Sequence, residues 1–111
     1  MNLKRRITRR KPDSIGTILR VEFMDPYNLT QEKLAEAMGV TRTLVNEIIN
    51  DKRGITIDTA IMLSKVFKNT PQFWLNVYLD SQLWEAYHNP RKKARFRRVM
   101  SVDRIAHRPA A

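Results

Sequence analysis

The chain has 111 residues, 42% of them apolar, no cysteine and a net charge of +10. That length holds one domain with a modest core, and the lack of thiols excludes disulfides and thiolate metal sites and fits a reducing cytoplasm. No apolar run approaches the ~18 residues of a membrane span. The basic N-terminus has no apolar signal core behind it, so a cytoplasmic protein without a membrane partner is expected.

The charge is unevenly placed. Residues 1–11 carry six basic side chains and no acidic one, and residues 91–98 carry six more, again with no acid. Residues 13–90 hold seven basic and ten acidic residues, so the middle is slightly acidic and the flanks make the chain basic. Clustered positive charge at both ends points to a polyanion such as nucleic acid. Glycine is scarce, with three residues, and apolar residues recur at helical rather than alternating spacing, which predicts an all-α fold.

Residues 1–12, MNLKRRITRRKP, bury too little apolar surface to fold alone. They read as a basic flexible arm that lies along phosphates or in a minor groove, or as a plain solvated tail. A domain over 13–88 follows. Its first helix is predicted over about 14–25, capped by Asp13 or Ser14, with Ile15, Ile18, Leu19 and Phe23 on the buried stripe. Asp25-Pro26 should end it.

Residues 31–50, QEKLAEAMGVTRTLVNEIIN, read as two short helices, about 30–38 and 41–50, joined by a tight turn. Thr30 and Thr41 suit the N-caps and Gly39 the turn, where φ > 0 is favoured. Small Ala35 permits close approach, and Leu34, Met38, Val40, Val45 and Ile48 fill the angle between helices crossing at about 90–120°. This leaves Thr41, Arg42, Thr43, Asn46, Glu47 and Asn50 exposed on the second helix, a polar face fit for a major groove. Arg42 suits guanine and Asn46 adenine by bidentate pairing, with Thr43 beside them as a base reader. Gln31, Thr41, Lys52 and Arg53 are the expected phosphate contacts. Glu47 either accepts from cytosine N4 or supports Arg42 or Lys52, and the supporting role fits better.

A fourth helix, about 56–68, carries Ile57, Ala60, Ile61, Leu63, Val66 and Phe67 as its packing stripe. Thr70-Pro71 marks the start of a fifth, about 70–88. Its apolar residues crowd both sides, more than one small head can cover, so a homodimer is expected with Phe73, Trp74, Val77 and Tyr78 at the interface. Residues 89–111 form a basic tail with one possible short helix around Phe96, Val99 and Met100. No catalytic constellation and no cofactor or metal site is read. His88 and His107 stand alone, and no glycine-rich phosphate loop exists.

The stretch 31–50 resembles the helix-turn-helix of Cro and phage repressors, on Gln31, Ala35, Gly39, Val45 and Ile48. The segment GITIDTAIMLSKVFKNTPQFWLNVYLDSQLWEA that follows resembles the HigA antitoxins, the group also called virulence-associated protein I. Those relatives carry Thr-Pro-x-aromatic-Trp-Leu-Asn, matched here by Thr70, Pro71, Phe73, Trp74, Leu75 and Asn76. The similarity covers about residues 14–88. It departs at Ile15, where relatives often have proline, and at Tyr78, where glutamine is common. The resemblance implies a five-helix repressor-like domain that binds a palindromic double-stranded operator, and a HigB-type toxin partner, a RelE-like ribonuclease that cuts translated mRNA. A stand-alone transcription regulator and an interaction module that no longer reads DNA are the alternatives.

Overall fold

A computed structural model describes residues 10–106, and all regular structure among them is helical. The expected contacts of residues 1–9, His107 and the terminal Arg-Pro-Ala-Ala lie outside the described residues. The first element, α1, changes pitch along its length: α-helix over Ile15–Thr17, π-helix over Ile18–Met24 and a 3-10 turn over Asp25–Tyr27. It is followed by α2 (Gln31–Met38), α3 (Arg42–Ile49), α4 (Ile57–Phe67), α5 (Pro71–His88), α6 (Pro90–Arg97) and α7 (Val102–Ala106). No described helix is long and apolar enough to cross a membrane.

Hydroxyl caps set the helix starts. Ser14, Thr30, Thr41, Thr56 and Thr70 each accept the backbone N–H three residues ahead, at 3.1–3.2 Å. Ser14 rather than Asp13 caps α1. Asn89 caps α6, its Oδ1 accepting from Arg91 N–H at 3.0 Å and Lys92 N–H at 3.3 Å. Pro26 does not stop α1 abruptly. The chain tightens through Asp25–Tyr27 and ends at Asn28, which takes a left-handed φ of 52°. Gly39 closes α2 at φ 73°, and open space surrounds its missing Cβ, so the backbone angle alone calls for glycine there.

The core gathers Ile15, Leu19, Met24, Leu34, Val45, Ile48, Ala60 and Leu63 around Trp74, which is 0% exposed. The Trp74 ring lies 4.7 Å from Phe23, 5.2 Å from Phe73 and 5.7 Å from Phe67, centroid to centroid. Its Nε1–H donates to Asn69 Oδ1 at 2.8 Å, which satisfies the one polar atom such burial would otherwise strand. Trp74 is therefore a core residue and not the interface residue expected from its surroundings in the chain, because no surface remains for a second chain. Ile57 and Ile61 correct the expected packing stripe in the other direction. They are 61% and 38% exposed, since α4 turns Thr59, Ala60 and Leu63 inward and leaves these two on the outer face. Beyond α5, residues 89–106 are exposed throughout, and the described chain measures 62 × 26 × 26 Å.

Candidate nucleic-acid interface

α2 and α3 form a helix-turn-helix whose inner angle is closed by side chains buried almost completely. Leu34 and Val45 are 0% exposed, Ile48 1% and Ala35 4%. Positions 45 and 48 are three apart, so both project to one side of α3, and the residues between and before them are forced outward. Thr41, Arg42, Thr43, Asn46 and Asn50 are all exposed. The polar face expected of α3 is thus present except at Glu47, which is half-buried, and it exists because Val45 and Ile48 are held from behind.

The first turn of α2 holds two of the three expected base readers. Asn46 Nδ2 donates to Gln31 Oε1 at 3.1 Å, and Arg42 Nη1 donates to Glu32 Oε1 at 3.2 Å. Thr43 has no such brace. Gln31 is therefore a support for Asn46 first, with its amide N–H groups still available to a phosphate. Thr41 spends one Oγ1 lone pair on Leu44 N–H, and its hydroxyl proton remains available as a donor.

Glu47 does support a basic residue, and the structure corrects which one. Its carboxylate lies 3.5 Å from Arg53 Nη2, not beside Arg42 or Lys52. The reason is the path of the chain after α3. Asp51 turns left-handed at φ 58°, and Lys52 N–H donates back to Glu47 O at 2.8 Å. That hairpin-like return carries Arg53 over Glu47, while Lys52 stays exposed next to it.

The far end of α3 is anchored to α1. Gly16 N–H donates to Asp51 Oδ1 at 3.0 Å. A Cβ on Gly16 would come within 2.7 Å of the Ile49 carbonyl carbon and closer still to its oxygen. Gly54 permits a similar approach further along the loop, where a Cβ would meet the Tyr78 ring at 2.7 Å and its hydroxyl nearer still. These two glycines let α1 and α5 press against the loop that carries Lys52 and Arg53. Gly16 is not singled out by the sequence reading; its signal is a glycine in an otherwise helical stripe with no turn to explain it.

The chain matches the helix-turn-helix family over residues 22–74, from α1 to Trp74. It is 43% identical to an HTH-type transcriptional regulator of Haemophilus influenzae over 74% of this chain and 77% of that one. It is 40% identical to antitoxin HigA-1 of Vibrio cholerae over 88% of this chain and 92% of that one. Among solved structures, the Pseudomonas aeruginosa antitoxin HigA with its higBA promoter superposes with a TM-score of 0.74 at 33% identity, covering 82% of this chain and 98% of that one. The chain belongs to the HigA-type branch of the helix-turn-helix family. In this HigA-type chain the family's helix-turn-helix is α2–α3, and the Thr70-Pro71 start and Trp74 of α5 serve the core.

The other three residues expected at a dimer interface partly face inward. Phe73 packs edge-on against Phe23 and Trp74, Tyr78 reaches Gly54, and Val77 is half-buried. The large apolar residues of α5 that remain open are Leu79, Leu83 and Tyr87, 47%, 43% and 62% exposed. They stand four apart on one face of the HigA-type α5 and follow Leu75 at the same interval, a spacing present in the sequence but hidden by the bulkier aromatic cluster before it.

Proposed function

We propose that this chain is a dimeric, sequence-specific DNA-binding antitoxin of a HigBA-type module, which represses its own operon and neutralises a RelE-like mRNA-cleaving toxin. A single observation carries the DNA-reading role. α3 exposes Arg42, Thr43 and Asn46 together, while Val45 and Ile48 are locked beneath them and Gln31 and Glu32 steady the outer two. Arg42 reads guanine and Asn46 adenine in the major groove, and Thr43 contacts a thymine methyl or a neighbouring base edge. Gln31, Thr41, Lys52 and Arg53 contact phosphates and set the register. Two heads joined through Leu79, Leu83 and Tyr87 of α5, with Val77 and Phe73 at the margin, would read half-sites about 34–36 Å apart on a palindromic operator. The toxin role rests on family membership.

The DNA-reading role is tested by comparing binding to the chain's own promoter with binding to an unrelated duplex of equal length. Asn46→Ala is expected to cost about 1–3 kcal/mol on the promoter and little on the unrelated duplex. Lys52→Ala should weaken both alike and lower the salt slope by about one. If both variants lose sequence preference equally, the assignment of base readers fails. The toxin role is tested by co-purification with the product of the adjacent gene. A stand-alone regulator is the second reading, favoured by relatives known only as transcriptional regulators. Promoter binding unaffected by the neighbouring product, with no complex formed, would establish it instead.

A further inference from the structure

The helix α6 has no role in the core or in the helix-turn-helix, yet it is well built. Asn89 caps it, Pro90 opens it, and the Phe96 ring sits 6.5 Å from Tyr87 near the end of α5, so its start and heading are set. It carries Arg91, Lys92, Lys93, Arg95 and Arg97, with Arg98 as its C-cap, and no acidic residue. All of these are exposed, and none forms an ion pair among the described residues.

The placement of those charges decides what kind of partner fits. At about 100° per residue the six basic positions are spread around most of the helix axis. Beyond the opening Pro90, the only apolar positions, Ala94 and Phe96, stand roughly 160° apart, so no apolar face exists with which to lie on a protein surface or a bilayer. Arg91 and Arg95, and Lys93 and Arg97, are like-charge pairs four apart, an arrangement that weakens a free helix. A dense array of phosphates removes that repulsion and gains from every charge. The geometry points to α6 as a second DNA-binding element, one that grips backbone phosphates flanking the operator without reading sequence. This inference rests on the DNA-binding reading above.

The test uses the full chain, its own promoter duplex and an unrelated duplex, with affinity measured from 50 to 200 mM salt. In one variant Arg91, Lys92, Lys93, Arg95, Arg97 and Arg98 are all replaced by glutamine, which keeps helix propensity and touches no buried contact. If about half of the ring faces DNA, the slope of log affinity against log salt falls by roughly three per protomer, and both duplexes weaken by a similar factor. In a second variant Arg91, Arg95, Arg97 and Arg98 become lysine, and the slope stays near that of the natural chain. An unchanged slope in the glutamine variant, with promoter preference intact, overturns the role of α6 and leaves the helix-turn-helix reading standing. Loss of slope on single-stranded RNA but not on either duplex also overturns it. A natural chain that shows no preference for its promoter, yet loses slope on neutralisation, refutes the base-reading assignment and supports α6.

Discussion

Gly16→Ala tests how α3 is held. Gly16 lies in the α-helical turn Ile15–Thr17 without a positive φ, and in an unobstructed helix alanine there would stabilise by about 0.5–1 kcal/mol. Here the new Cβ would sit 2.7 Å from the Ile49 carbonyl carbon and 2.8 Å from Asp51 Oδ1, so the end of α3 must move away by about an ångström. Overpacking of this kind costs about 1–3 kcal/mol, and the Gly16–Asp51 hydrogen bond, worth about 1 kcal/mol, is stretched or lost. The net expectation is a destabilisation of about 2 kcal/mol, opposite in sign to the propensity effect. At about 4–8 °C per kcal/mol for a domain of this size, Tm falls by roughly 8–16 °C. The displacement also spoils the hydrogen-bond geometry of Asn46 and the loop that carries Lys52 and Arg53, so promoter affinity measured well below Tm should drop by about tenfold. Thermal unfolding by circular dichroism and a promoter binding titration read the two effects. An alanine variant at least as stable as the natural chain, with undiminished promoter affinity, would refute the claim that this contact positions α3.

Three further outcomes are expected. Glu32→Gln releases Arg42 from an ion pair that is 3.2 Å long but more than half exposed on both sides, so stability should change by well under 1 kcal/mol while binding to unrelated DNA tightens and sequence preference falls; a preference equal to that of the natural chain would show that Glu32 does not restrain Arg42. Trp74→Ala empties the centre of the aromatic cluster and should cost about 3–5 kcal/mol, read by denaturant unfolding, whereas a loss near zero would contradict its complete burial. Leu83→Asp places a charge on the open face of α5 and should yield a folded monomer in sedimentation velocity; a dimer of undiminished affinity would move the interface elsewhere.

Much of this molecule is local, and local features are legible in a chain. Each Ser or Thr cap with a free backbone N–H three residues on marks a helix start, because the hydroxyl and the amide it serves are near neighbours in sequence. The three-residue spacing of Val45 and Ile48 tells which side of α3 is buried, and so which side is left open to solvent. Clustering of like charge shows that the basic ends differ in kind from the acidic middle. What stays hidden depends on how one helix crosses another. Trp74 looks like an interface residue until Phe23, from fifty-one positions earlier, is placed against its ring, and α1 itself changes pitch in a way no periodicity announces. Gln31 with Asn46, Glu47 with Arg53 after a left-handed turn at Asp51, and Gly16 against Ile49 are pairings set by crossing angles and loop paths. Spacing along one helix carries no information about those angles. The rod and its face are written in the order of residues, and the tilt and bracing of that face come only from the packed whole.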